Sequence, residues 1–207
     1  SLPPGRVTCT AGSEDTPTVH RIGPHKHARD TLTAWSELAL QVGRQQGIDL
    51  YHGFFLAYAG FLAAYSARLT GVPSVVSARG NDLDRLLFDA ARAPFVMEAL
   101  RMADAVTTVS RALAAKARAL IPQVQVYPVP NGVDADLFHP GLSTPRVPTT
   151  RWQTFPGATL GFVGEARVKK GLAVLLNALA QIAAERPAQL LLVGGVRTKD
   201  RPILDLF

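Results

Sequence analysis

Gly161-Phe-Val-Gly-Glu-Ala-Arg-Val-Lys-Lys-Gly171 is the stretch whose reading decides the fold. An apolar run, Thr159 to Val163, stops at Gly164. A second glycine, Gly171, opens a segment with helical spacing at Leu172, Leu175, Leu176, Leu179 and Ile182. Between the glycines lie Glu165, Arg167, Lys169 and Lys170. A buried strand that delivers a basic loop to a helix start is a building unit of an open α/β sheet. The unit also suits phosphate, because bare backbone N–H groups, the positive end of the helix dipole and cationic side chains converge there. Lys170 and Arg167 are the cations this reading selects.

The same alternation runs outward along the chain. Val7 to Thr10 and Thr18 to Ile22 read as short strands. Ala28 to Gln46 reads as a helix with Leu32, Trp35, Leu38, Ala39 and Val42 on one face, stopped by Gly47. Ile48 to His52 follows as a strand and Phe55 to Leu69 as a buried helix. Then come a strand, Ser74 to Ala78, and one or two helices from Asp84 to Met102, interrupted near Pro94. A strand from Ala105 to Val109, a helix from Ser110 to Leu120 and a strand from Val124 to Val129 complete the first half. Short strands alternating with helices predict parallel β-α-β units with helices on both sheet faces. From Phe138 to Pro156 the periodicity fails, and Pro140, Pro145, Pro148 and Pro156 mark a linker. The expected organisation is an α/β domain over residues 1–137, a linker over 138–157, and the opening of a second α/β domain over 158–207.

The net charge of +6 favours an anionic partner, although it does not choose among nucleotide, acidic membrane and nucleic acid. No basic stripe with interleaved aromatics supports nucleic acid. Cys9 is the single cysteine, so no internal disulfide or cysteine metal site is expected, and a reducing, cytoplasmic setting is the reading. His25 and His27 lack a third ligand nearby, so no metal site is expected. The start, Ser1-Leu-Pro-Pro-Gly5, carries no leader pattern, and the chain reads as a piece cut at both ends.

Ligands of open α/β sheets gather at the C-terminal ends of the strands. Polar residues expected there are His52, the run Arg79, Gly80, Asn81 and Asp82, then Ser110, the run Asn131, Gly132 and Asp134, and the Gly164 loop. Each has a plainer reading. Ser110 is a natural N-cap, Asn131-Gly132 a turn, His52 a hydrogen-bonded half-buried histidine, and Arg79 with Asp82 a structural ion pair.

Taken in order, these segments resemble the GT-B glycosyltransferases, in particular the retaining family 4. The resemblance rests on Asp49-Leu-Tyr-His52, Gly71-Val-Pro-Ser-Val-Val-Ser-Ala-Arg-Gly-Asn-Asp82, Ala103-Asp-Ala-Val-Thr-Thr-Val-Ser110 and Val129-Pro-Asn-Gly-Val-Asp134 with Phe138 and Pro140. Gly161 to Gly171 and Leu191-Leu-Val-Gly-Gly195 complete it. It implies two Rossmann-like domains, the first for an acceptor and the second for a nucleotide-diphospho-sugar, which is a substrate and not a cofactor. The implied reaction moves the sugar with retention of configuration and usually needs no metal, since protein cations stabilise the departing diphosphate. By position, Lys170 matches the diphosphate-binding lysine, Arg167 is an available second cation, and Gly164 gives the backbone close approach to the phosphates.

The chain departs from the family pattern in two places. Glu165 stands where the family often has Arg, and Arg79 stands where many members have His. The resemblance also places a glycine-rich loop before residue 1 and a Glu-x7-Glu pair after residue 207, so the isolated chain is expected to be inactive. Alternative readings are a nucleotide-sugar 2-epimerase of the same fold and a non-catalytic nucleotide-sugar-binding module. Peripheral contact with the inner membrane face is an added alternative, through Arg111, Lys116 and Arg118 on the Ser110 helix.

Overall fold

The structure, a computed structural model, describes residues 2–139 and 155–204. Most of the expected linker, 140–154, lies outside the described residues. The chain divides into two compact units, Ser1–Asp134 and Ala135–Phe207.

In the first unit, β1 (Val7–Thr10) and β2 (Val19–Ile22) form an antiparallel pair, with Val7 opposite Ile22. Helix α1 (Ala28–Gln46) ends at Gly47, which takes the left-handed conformation that a side chain would resist. A four-stranded parallel sheet follows in sequential order: β3 (Tyr51–Phe54), β4 (Ser74–Ala78), β5 (Ala105–Thr108) and β6 (Val126–Pro128). Parallel neighbours need crossovers. These are a wide turn at Leu56–Gly60 with α2 (Phe61–Thr70), the short α3 (Asn81–Asp84) with α4 (Ala93–Met102), and α5 (Arg111–Leu120). Leu56, Val76, Val96, Leu100 and Val106 are almost wholly buried and form the centre of the core. Each such side chain contributes roughly 1.5–3 kcal/mol by leaving water.

Asp104 ties the N-terminal edge of this sheet together. Its Oδ2 accepts from the Ser74 N–H at 2.8 Å and from the Ser74 hydroxyl at 2.9 Å. The backbone bond first, and the hydroxyl bond second, hold the Asp104 carboxyl below the usual carboxylate range.

In the second unit, β7 (Ala158–Val163) and β8 (Ala188–Val193) pair in parallel over their full length, joined through α6 (Leu172–Glu185). The short α7 (Arg201–Leu204) ends the described chain. Ala166, Leu172 and Leu176 are the buried core residues here.

Several boundaries differ from the sequence reading. The expected helix from Phe55 to Leu69 splits into the turn at Leu56–Gly60 and α2, and helix begins at Asn81 and not Asp84. Three further shifts have a clear cause. The third strand begins at Tyr51 and not Ile48, because the Ile48 N–H closes the end of α1 on the Gly43 carbonyl. His52 therefore lies inside β3 and does not follow it. Pro94 lies in the first turn of α4 instead of interrupting a helix, since a first-turn residue has no N–H bond to lose. The last strand of the first unit shrinks to Val126–Pro128, with Val124 bonded into a turn on Ile121. The expected cover on both sheet faces also fails for β7, where Thr159 and Val163 are exposed and only Leu160 and Phe162 turn inward.

Candidate functional site

Two groups of side chains collect at C-terminal strand ends, one in each unit. In the first unit the group is built across β3, β4 and β5. His52 Nε2 and Ser77 Oγ share a hydrogen bond of 2.8 Å, and Ser77 Oγ meets Thr107 Oγ1 at 2.7 Å. Strand register causes this contact: Ser77 and Thr107 are direct partners across β4 and β5. Beyond them, the Arg79 guanidinium lies 4.7 Å from the centre of the Phe54 ring and donates to Asn131 Oδ1 at 2.8 Å. His52, Phe54, Ser77, Arg79, Thr107 and Val129 line a cavity of about 220 Å³. That is smaller than a drug-sized ligand pocket and suits a fragment such as a few hydroxyl groups. A larger groove of about 1030 Å³, between α1 and β2, is walled chiefly by apolar side chains such as Trp35, Leu38 and Val42.

Other expected residues of this unit have structural tasks. Asp82 is fully buried, and its carboxylate accepts from the N–H groups of Leu56 at 3.0 Å and Arg79 at 2.8 Å. It positions the loops after β3 and β4 and is out of a ligand's reach. The side-chain ion pair between Arg79 and Asp82 does not form, because only the Arg79 backbone meets that carboxylate. Ser110 caps α5 by accepting from the Leu113 N–H at 3.2 Å. Gly80, at a φ of 115°, turns the chain into α3, whose first residue is Asn81. Gly132 and Asp134 lie exposed in the loop after β6. Of the three α5 cations, Lys116 pairs with Asp84 and Arg118 donates to the Val126 carbonyl at 2.6 Å. Among the described residues no helix is long and apolar enough to cross a membrane, and no three His, Cys, Asp or Glu side chains converge for a metal.

The second group follows β7. Gly164 has a φ of 136°, and its N–H bonds the Val193 carbonyl at 2.8 Å. The chain passes through Arg167 into a tight turn, Val168–Lys170, and Gly171 admits it to α6. Lys170 stands exposed in that turn. Arg167 Nη1 pairs with Glu165 Oε2 at 3.1 Å, while its Nε is buried with no acceptor among the described residues. Arg197, after β8, joins from the neighbouring loop, with its Nε on Glu165 Oε1 at 2.7 Å and its Nη2 on Oε2 at 3.0 Å. The bonds to Glu165, and then its charge, push the Arg197 guanidinium above its ordinary range.

A family model described as glycosyl transferase 4-like domain matches residues 3–132, nearly all of the first unit. The chain belongs to this family. No curated protein matches it. Among solved structures, an S. aureus MnaA–UDP co-structure is similar at 12% identity with a TM-score of 0.57, over 89% of this chain and 50% of that one. UDP-N-acetylglucosamine 2-epimerase from Rickettsia bellii is similar at 15% identity with a TM-score of 0.46, over 88% and 48%. The glycosyl transferase 4-like chain thus spans about half the length of these solved structures. Its α/β architecture is of the GT-B type, with parallel sheets and Rossmann-like crossovers.

Within the glycosyl transferase 4-like domain, His52, Arg79 and Asn131 come together as one wall. The Lys170 loop falls beyond the matched residues. Ser77, Thr107 and Phe54 escaped the sequence reading. Their signal was present but faint: hydroxyl residues in the strands Ser74–Ala78 and Ala105–Thr108, where burial on both faces favours aliphatic side chains. Arg197 also escaped, because its role depends on the pairing of β7 with β8.

Proposed function

We propose that the chain is the nucleotide-sugar-handling and acceptor-handling part of a retaining glycosyltransferase. In this reading the anomeric C–O bond to the diphosphate breaks and its electron pair goes to the phosphate oxygen. The acceptor oxygen bonds the anomeric carbon on the same face and passes its proton to the departing phosphate oxygen. The departing diphosphate gains negative charge, and preorganised cations and N–H dipoles act best where such charge develops. Lys170 supplies a point charge at that place, Arg167 a second cation, and Gly164 close backbone approach. No resident cofactor is needed; the nucleotide-diphospho-sugar is the donor substrate. His52, Ser77, Arg79 and Asn131 belong to the acceptor side, where their polar groups would orient a hydroxyl-bearing acceptor. Gly80, Asn81, Gly132 and Asp134 shape the loops beside it.

The observation that carries the reading is the juncture of β7, Gly164, Arg167, Lys170 and the start of α6 in a chain whose first unit is a glycosyl transferase 4-like domain. The test is calorimetric titration of nucleoside diphosphates into the wild type and Lys170→Ala. One charge-assisted contact is worth about 1.5–3 kcal/mol, so the variant is expected to bind roughly tenfold or more weakly. Equal affinity would remove Lys170 from the site. Incubating the full-length protein with a nucleotide-sugar panel separates the chemistries. A new glycoside with the donor's anomeric configuration supports transfer, whereas a C2-inverted nucleotide sugar would replace it with epimerisation.

A further inference from the structure

The loops after β7 and β8 are built alike. Val163 faces Val193 at the end of the ladder, and Ala166 bridges Val196 beyond it. Gly164 and Gly194 share an unusual φ, 136° and 140°. A Cβ on Gly194 would stand 2.1 Å from the Gly164 carbonyl oxygen, so the loops touch backbone to backbone. Each loop then passes through an arginine into a tight turn, Val168–Lys170 in one and Thr198–Asp200 in the other. Arg167 and Arg197 hold the same place in the two loops, and the parallel register sets them side by side.

Among the described residues, the Glu165 carboxylate bonds both arginines. Glu165 Oε2 accepts from Arg167 at 3.1 Å and from Arg197 at 3.0 Å, and Oε1 accepts from Arg197 at 2.7 Å. Two planar guanidinium groups converging on one oxyanion is the arrangement that phosphate oxygens also satisfy. The side chains of Arg167, Glu165 and Arg197 are 24%, 41% and 42% exposed, so a ligand can reach them. These groups are partly exposed, so water screens the pairs and an anion of higher charge can compete with the carboxylate for the same donors. Arg167 Nε, buried and without an acceptor among the described residues, is a donor that the present arrangement leaves unused.

We propose that Arg197 is a second diphosphate-binding residue, and that Glu165 is a resident counter-carboxylate which the diphosphate displaces from the Arg167–Arg197 pair. This rests on the reading of the Lys170 loop as a donor-diphosphate site. It adds a cation from the second strand's loop and gives Glu165 the part of an internal competitor. Affinity for a diphosphate is then set by the difference between two anions at one pair of guanidinium groups.

The test titrates inorganic pyrophosphate into the full chain as wild type, Glu165→Gln, Arg197→Gln, Arg197→Lys and Lys170→Ala, with thermal melts confirming that each folds. Removing the competing charge is expected to tighten binding about five- to tenfold in Glu165→Gln. Arg197→Gln is expected to weaken it about tenfold, and Arg197→Lys, which keeps the charge and loses the fork, to fall between. If Glu165→Gln binds no more tightly than the wild type, or Arg197→Gln binds equally well, the inference falls. It also falls if neither the wild type nor Glu165→Gln binds at millimolar pyrophosphate. Should an Arg197 variant fail to fold, the Glu165→Gln arm decides alone. A loss confined to Lys170→Ala keeps the donor site and rejects Arg197. Changes at Glu165 and Arg197 with none at Lys170 keep the arginine pair and reject Lys170.

Discussion

Arg79 shows how much one side chain can organise. It leaves β4, stacks on Phe54 from β3 and holds Asn131 in the loop after β6. The contact therefore joins three strand ends of one sheet. A cation over an aromatic face and a charge-assisted hydrogen bond to an amide oxygen are together worth about 2 kcal/mol at a partly exposed place. Lysine keeps the charge but cannot stack as a plane and reach Asn131 with the same fork. Arg79→Lys is therefore expected to loosen the loop, with amides of residues 129–134 exchanging about five- to tenfold faster in hydrogen-exchange mass spectrometry. Unchanged exchange would show that the loop holds its own shape. The residue types at this site were legible in the sequence, but their partners were not. His52, Arg79 and Asn131 stood out as polar groups beside strands. Their link through Ser77 and Phe54 depends on register, which no local pattern encodes. Asp82 looked equally accessible, and only burial separates it from Arg79.

At the scale of elements, hydrophobic spacing placed the long pieces well and the short ones less well. Helices α1 and α6 and strand β4 keep the limits that periodicity sets, because apolar spacing and glycine stops agree there. Strand β3 moved because its start is fixed by the neighbouring strand: Tyr51 pairs with Ser74. The Asp104 clasp on Ser74 is another cross-element contact, and it has a pH signature. A carboxyl whose folded pKa lies below its unfolded value adds stability above the unfolded value, near 3.9 for Asp. That stability disappears as pH falls through the still lower folded value. Asp104→Ala is expected to lower stability by about 1 kcal/mol at neutral pH, after discounting for solvent at an exposed residue. The urea midpoints of variant and wild type should then converge as pH drops below about 4. A gap that persists in acid would mean that the loss comes from packing or backbone effects and not from the charge.

For the whole molecule the decisive feature is that each unit has its own core, and that the two cores are unequal. The first unit buries Leu56, Val76, Val96, Leu100 and Val106 around a four-stranded sheet. The second buries Ala166, Leu172 and Leu176 against two strands. Two strands and one long helix are close to the least that holds together in water. Among the described residues, the loop assigned to diphosphate binding therefore sits in the unit with the smaller core, and ligand would stabilise that unit by mass action. Leu172 is fully buried at the start of α6, one residue beyond the Gly171 turn. Leu172→Ala is expected to cost about 2–5 kcal/mol, enough to open much of a marginal unit. Amides of β7 and β8 should then lose protection while those of β4 and β5 keep it. Pyrophosphate should restore part of the lost protection, because binding to the folded loop opposes unfolding. The reciprocal variant, Leu100→Ala, should weaken β4 and β5 first. If Leu172→Ala instead lowers protection equally in all four strands, the two cores melt as one, and loop stability cannot be tuned apart from the glycosyl transferase 4-like domain.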